Sequence, residues 1–198
     1  ANLPPLPPNR DDDNIPVENR VSVAATSRLS LDIQDLSGCF AVCESEMVRT
    51  SLSEGSRVQG VALSGFAGKI GSKRLDNDGA QLPRLGRELA SAARLAGVAG
   101  IFHSDELPAY GISETEVAEV RQTLSLEEPD AFVLCVAPAW QSELALEAVI
   151  ERARGAYHRI SREVRNVVIQ KGQPADGTTT AMRPLPGGAR MYPETDIP

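Results

Sequence analysis

The chain has 198 residues, of which 41% are hydrophobic and 24% are charged, the usual composition of a folded globular protein. Its formal net charge of −7 argues against coating nucleic acid by overall charge, although it leaves room for a local basic face. The sequence has no apolar run of about eighteen residues and no basic-then-apolar start, so we expect a cytoplasmic protein without a membrane span.

Residues 1–16 are rich in proline and contain three consecutive aspartates, a composition that disfavours helix and sheet. We predict an extended or disordered linker there, a folded domain over 17–161, and a connector with the start of a second domain over 162–198. The chain has no initiator methionine and stops at Pro198, so we expect it to be an internal fragment.

Apolar residues at helical spacing predict a first helix over 46–53, which Gly55 ends. Alternation of apolar and small residues then predicts a strand over 57–64. The glycine-rich stretch 65–71 predicts a turn-rich loop.

The next helix is predicted over 83–97, because apolar residues recur at spacings of three and four between Pro83 and Gly97. The short apolar run 98–102 that follows predicts a buried strand. The three cysteines, Cys39, Cys43 and Cys135, lack the spacing of a zinc site, and we expect reduced, buried thiols.

Ser113 and Glu116 have the spacing of a capping box, which predicts a helix from there to residue 124. A buried strand is predicted over 131–137, and a long helix over 140–157. This alternation predicts an α+β fold, a two-layer sandwich in which helices cover a sheet.

The pattern weakens towards the end of the chain. A strand is predicted over 162–169, and a connector rich in glycine, proline and threonine over 170–180. Residues 182–198 have no helical or strand period, yet they are dense in rigid and charged residues, so we predict an irregular functional loop.

Two parts of the sequence resemble a known family. The stretch Arg183-Pro-Leu-Pro-Gly-Gly-Ala-Arg-Met-Tyr-Pro-Glu-Thr-Asp-Ile-Pro198 closely resembles a signature of the E subunit of archaeal glutamyl-tRNA(Gln) amidotransferases, where it belongs to the cradle-shaped catalytic domain. The preceding core resembles the GAD domain, an insert that this E subunit shares with bacterial-type aspartyl-tRNA synthetases. The matching stretches are Gly65-Phe-Ala-Gly68, Arg84-Leu-Gly-Arg-Glu-Leu-Ala90, Ala96-Gly-Val-Ala-Gly-Ile-Phe-His-Ser-Asp-Glu-Leu-Pro-Ala-Tyr-Gly-Ile112 and Glu147-Ala-Val-Ile-Glu-Arg-Ala-Arg154.

The resemblance implies a part of an enzyme that converts glutamyl-tRNA(Gln) to glutaminyl-tRNA(Gln). In that family the asparaginase-like D subunit releases ammonia, while the E subunit binds the tRNA and uses ATP and Mg²⁺ to activate the glutamyl carboxylate. The insert is then expected to be a GAD/DCoH-like α/β unit that helps to bind or position tRNA(Gln). We expect the fragment alone to be inactive and to hold no cofactor.

Five arginines fall within fourteen residues at and after the end of the long predicted helix: Arg152, Arg154, Arg159, Arg162 and Arg165. Two interpretations stay open. The guanidinium groups contact tRNA phosphates, or they form a solvated face that suits the negative end of the helix dipole.

The glycine-rich loop carries Lys69 and Lys73 as candidate RNA contacts. It lacks the Walker pattern of a phosphate loop, since Leu63 and Ile70 occupy two of the required positions. We therefore favour a hairpin or strand-exit turn that presents the two lysines.

Two further groups of polar residues are candidates for chemistry. Arg183, Arg190, Glu194 and Asp196 are candidates for the Mg-ATP or acceptor-end site of the intact protein, or for bracing their own loop. A second group, His103, Asp105 and Glu106, could bind a metal, but neighbouring positions on an extended chain point apart, which favours a simple strand-ending turn.

Three other classes of protein stay open: a stand-alone RNA-binding module, the insert of an aspartyl-tRNA synthetase, and a small-molecule-sensing α/β domain. Salt-dependent tRNA binding would separate the first two from the third. The 183–198 stretch argues against both RNA alternatives.

Overall fold

A four-stranded antiparallel sheet lies at the centre of the structure, a computed structural model that describes residues 29–73, 84–155, 163–167 and 179–184. Its strands are β1 (Gln34–Asp35), β2 (Arg57–Leu63), β3 (Phe102–His103) and β4 (Ala131–Ala137), in the order β1-β2-β4-β3. The two long strands, β2 and β4, pair along their whole length. They provide the surface on which the helices pack.

The helices of the described residues are α1 (Glu46–Ser53), α2 (Leu85–Arg94), α3 (Glu114–Thr123) and α4 (Ala139–Arg154). Short 3-10 turns occupy Ser37–Phe40 and Ser104–Glu106. The predicted capping box of α3 is confirmed, because the N–H of Ser113 donates to Glu116 Oε2 at 2.5 Å. All four helices were predicted from the sequence; α1 has the predicted bounds, and the ends of the other three are shifted by one to three residues.

Alternate residues of β4 enter two different cores. Val133 and Cys135 are buried against α2 and α4, whereas Phe132 and Leu134 are buried with α1 and α3. Successive side chains of a strand point to opposite faces, so one strand serves both cores. The predicted α+β class is confirmed, and the sheet carries helices on both faces, one layer more than a two-layer sandwich.

The strand predicted over 98–102 is wrong for most of its length. Only Phe102 is in β3, where it lies opposite Leu134, and β3 then ends at His103. Val98 is buried against the α2 and α4 core and Ile101 packs on it, outside any strand. The apolar run therefore marks burial, and the strand forms only where β4 offers a backbone partner.

A separate hairpin consists of β5 (Glu163–Val167) and β6 (Thr179–Pro184), which are antiparallel with a bulge after Val164. The strand predicted over 162–169 is confirmed. Residues 179–184 were predicted to be connector and irregular loop, and this is wrong, because they pair with β5. The predicted domain boundaries, at 16/17 and 161/162, lie outside the described residues and stay predictions.

The three cysteines are free, as expected. Cys43 and Cys135 are buried, and Cys39 is only partly so. Burial raises the pKa of the Cys135 thiol to about 11, and desolvation also raises the pKa of Cys43. Both buried thiols thus stay protonated near neutral pH, which suits small core residues.

Candidate nucleic-acid interface

The arginine cluster predicted from the sequence begins in the last turn of α4, where Arg152 takes part in an ion pair. Its Nη2 donates to Glu88 Oε2 of α2 at 2.5 Å, and the two side chains are only 22% and 12% exposed. A pair shielded in this way keeps more of its Coulomb attraction than one on the open surface. Arg152 therefore holds the end of α4 against the start of α2.

Arg154 joins the end of α4 to the segment that precedes β1. Its Nη1 pairs with Glu151, and its Nη2 donates to the carbonyl oxygen of Leu29 at 3.0 Å. Leu29 is itself buried in the α2 and α4 core. The first and last described residues of the domain, 29 and 155, are thus close together, and Arg154 has a structural role there.

The glycine-rich loop after β2 is organised around a carboxylate of the protein itself. The N–H groups of Gly68 and Gly71 both donate to the side chain of Asp105, each at 2.9 Å. These are the backbone amides with which a loop of this kind would hold a phosphate. Because Asp105 already occupies them, the structure supports the predicted turn and not a phosphate loop.

Glu106 and His103 likewise serve local structure. The N–H of His103 donates to Glu106 Oε1 at 3.1 Å, and His103 Nε2 lies 3.7 Å from Glu106 Oε2. The predicted strand-ending turn is confirmed by the 3-10 turn over Ser104–Glu106. Over the ranges that the structure describes, His, Cys, Asp and Glu side chains form no group of three that could hold a metal ion.

The two predicted lysines differ in their surroundings. Lys69 Nζ donates to the carbonyl oxygen of Gly65 at 2.8 Å, so this ammonium group closes its own loop. Lys73 is exposed. Of the two, Lys73 is the better placed to reach a phosphate.

Three segments that are distant in sequence meet at one end of the α2 and α4 layer. The N–H of Gly86 donates to the carbonyl oxygen of Ile70 at 2.9 Å, which joins the loop to the start of α2. The Arg152–Glu88 pair adds the end of α4. We call this region the basic end, and it comprises Lys69, Lys73, Arg84, Arg87, Arg152 and Arg154.

Arg84 and Arg87 were not predicted as site residues. They flank Gly86 at the start of α2, with Arg87 exposed and Arg84 partly exposed. Cations are unfavourable beside the positive end of a helix dipole, so two arginines at a helix start form an unusual local pattern. This pattern in the sequence could have identified Arg84 and Arg87 as candidate site residues.

The other predicted site residues lie in the hairpin or outside the described residues. Arg165 lies in β5 opposite Ala181, and Arg183 lies in β6 opposite Val164. The remaining candidates fall outside the described residues: Arg159, Arg162, Arg190, Glu194 and Asp196. Their roles stay predictions.

A depression beside α1 is lined by Glu46, Arg49, Thr50 and Ser53. It is open to solvent and its lining residues are polar, whereas small-molecule sites are mostly concave and apolar. This surface gives little support to a small-molecule sensor.

The sequence model of the GAD domain matches residues 48–146, half of the chain. The match runs from α1 into α4 and includes β2, β3 and β4. The chain therefore belongs to the GAD-domain family.

Relatives extend the match beyond this domain. The chain is 44% identical over 176 residues to the E subunit of the glutamyl-tRNA(Gln) amidotransferase of Methanopyrus kandleri, a match that covers 89% of the chain and 26% of the relative. It is 41% identical to the E subunits of Sulfurisphaera tokodaii over 170 residues and of Haloarcula marismortui over 165, covering 85% and 83% of the chain and 25% of each relative. The expected similarity to a segment of the archaeal E subunit with a GAD domain is confirmed, and the chain spans about a quarter of these curated relatives.

None of the helices in residues 29–155 is long and apolar enough to cross a membrane.

Proposed function

We propose that this chain is part of the tRNA-binding subunit of an ATP-dependent amidotransferase, which converts glutamyl-tRNA(Gln) to glutaminyl-tRNA(Gln) in the cytoplasm. The similarity to E subunits of glutamyl-tRNA(Gln) amidotransferases, over 83–89% of the chain, supports this. In this proposal the asparaginase-like D subunit supplies ammonia, and ATP with Mg²⁺ activates the glutamyl carboxylate. The trailing residues Arg183, Arg190, Glu194 and Asp196 contribute to that site.

Within that larger protein, the GAD domain helps to bind and position tRNA(Gln). The convergence of three segments at the basic end is the observation that carries this role. The net charge of −7 means that phosphates are attracted by a local surface and not by the chain as a whole. Arginine outnumbers lysine at this end, and its planar fork suits phosphate oxygens.

The domain is built as a branch of the longer protein. Arg154 Nη2 lies 3.0 Å from the carbonyl oxygen of Leu29, so the chain enters and leaves the domain at the same place. This place adjoins the basic end, because Arg152 and Arg154 are in the same helical turn. RNA held there would lie beside the junction with the rest of the protein.

This geometry allows the domain to be removed cleanly. In the full-length protein, residues 30–153 can be replaced by a short Gly-Ser linker, since the flanking residues are already close. We expect the affinity for tRNA(Gln) to fall at least about tenfold, or roughly 1.4 kcal/mol, while ATP binding stays unchanged. Calorimetry would measure the affinity for ATP, and filter binding would measure the affinity for tRNA(Gln).

The two parts of the proposal have separate contradicting outcomes. If the tRNA affinity is unchanged after excision, the proposal that the domain binds tRNA is contradicted. Failure of the intact protein, with its partner subunit, glutamine and Mg-ATP, to form glutaminyl-tRNA(Gln) would remove the amidotransferase assignment. Two linker lengths serve as the control for strain at the junction.

A further inference from the structure

We propose that Lys73, Arg84 and Arg87 are the groups of the basic end that bind RNA phosphates, an inference that rests on the proposed tRNA-binding role. It keeps Lys73, which the sequence analysis already named, and moves the arginine contact from the end of α4 to the start of α2. The contact is with the sugar-phosphate backbone of the RNA: guanidinium and ammonium groups bind phosphate oxygens and do not recognise bases.

The first argument is that the described residues leave these three cations available, unlike the other cations of the basic end. Arg152 pairs with Glu88, Arg154 bonds to Glu151 and to the Leu29 carbonyl, and Lys69 bonds to the Gly65 carbonyl. Across residues 29–73 and 84–155, the side chains of Lys73, Arg84 and Arg87 make neither a hydrogen bond nor an ion pair. A phosphate therefore has no partner among these residues to displace.

The second argument is their proximity. Arg84 and Arg87 flank Gly86, whose N–H bonds to the carbonyl oxygen of Ile70 at 2.9 Å, and Lys73 follows Ile70 by three residues. With about 3.8 Å between consecutive Cα atoms, the three Cα atoms lie at most roughly 25 Å from one another. That span matches several successive phosphates along one strand.

The third argument concerns two carboxylates of the described residues, Asp105 and Glu88. Asp105 accepts from the N–H groups of Gly68 and Gly71, and Glu88 pairs with Arg152. Both are thus satisfied by other donors and do not neutralise the exposed cations directly. In the sequence, residues 74–83 between Lys73 and Arg84 include Arg74, Asp76 and Asp78. Because charges of both signs occur in this part of the chain, we expect the attraction of RNA phosphates to be short-ranged and to weaken with added salt.

The test uses the full-length protein with the double substitution Arg84→Ala and Arg87→Ala. Neither change removes a helix cap, because the Arg84 side chain makes no capping bond. We expect the tRNA(Gln) affinity to fall about tenfold or more at about 50 mM salt. The slope of log affinity against log salt should decrease by roughly 1.4 to 1.8, or about 0.7 to 0.9 for each lost phosphate contact.

The matched control is Arg49→Ala with Arg57→Ala, which removes the same charge elsewhere. Arg49 is exposed on α1, and Arg57 makes a surface pair with Asp35 at 3.7 Å. We expect this pair of changes to leave affinity and slope within about twofold of the parent, since exposed pairs contribute little. Lys73→Ala alone should lower the slope by about half as much as the double substitution.

Three outcomes would overturn the inference. Equal losses in the two double variants would show a general charge effect, and unchanged binding in Arg84→Ala, Arg87→Ala would remove the site. If that variant kept its tRNA affinity but lost association with the partner subunit, the surface would be a protein contact. In the last two cases the excision experiment still tests the proposed function. If tRNA binding is lost when the whole domain is removed, the domain binds tRNA through other residues.

Discussion

Gly86 shows how a single residue shapes the candidate site. A Cβ atom at this position would lie 2.8 Å from His103 Nε2 and 3.1 Å from the carbonyl oxygen of Ile70. His103 is buried and the carbonyl belongs to the backbone, so neither can move aside easily. The absence of a side chain therefore lets the start of α2 contact the loop and brings its arginines close to Lys73.

We predict that Gly86→Ala destabilises the 198-residue chain by about 1 to 3 kcal/mol, because overpacking displaces His103 or separates α2 from the loop. Urea unfolding followed by circular dichroism would measure the change. Gly38→Ala is the control, since nothing lies within 4 Å of a Cβ there. Equal effects of the two substitutions would contradict the packing argument.

At the scale of elements, the ends of α2 and α4 are joined by different interactions. The Arg152–Glu88 pair joins the start of α2 to the end of α4. At the other end of the two helices, Gln141 Nε2 donates to the carbonyl oxygen of Ala96 at 3.2 Å. The helices are therefore antiparallel, which is why a predicted arginine cluster at the end of α4 lies beside the start of α2.

A double-mutant cycle on Glu88→Gln and Arg152→Met tests the importance of this pair. We expect each single change to cost about 2 to 3 kcal/mol of unfolding free energy, because it removes an ion pair between two largely buried side chains. The double change should cost less than the sum, with a coupling of roughly 1 to 2 kcal/mol. Additive costs would show that the two side chains do not interact in solution.

At the scale of the whole molecule, β4 links the two cores. Its alternate residues are buried on opposite faces of the sheet. Unfolding of one core would therefore free β4, and the other core would lose the strand against which it packs. The domain formed by residues 29–155 should therefore unfold as one cooperative unit, as small domains usually do.

Val48 and Trp140 allow this cooperativity to be measured across the sheet. Val48 is fully buried with α1 and α3, whereas Trp140, the single tryptophan of the chain, is in α4 on the other face. We predict that Val48→Ala lowers stability by roughly 2 kcal/mol, with Trp140 fluorescence and circular dichroism shifting to the same new urea midpoint. A Trp140 transition that stays in place while the other signal shifts would indicate two independent units.

Elements with strong local signals could be predicted from the amino-acid sequence alone. The apolar run 131–137 became β4 with the same bounds, and the spacing of Ser113 and Glu116 became the cap of α3. These signals lie within a few residues of the structure that they specify, because capping and periodicity are short-range. The family resemblance was likewise carried by contiguous stretches of residues.

The role of each polar residue, by contrast, depends on the three-dimensional arrangement of the elements. The fold brings Asp105 to the amides of the loop, pairs Arg152 with Glu88, and leaves Arg84 and Arg87 exposed beside Lys73. It also limits β3 to two residues, because a strand requires a backbone partner, and the partner here is β4, about thirty residues further along the chain. Hydrogen bonds and ion pairs between distant segments depend on which elements meet in space, and periodicity along the chain does not contain that information.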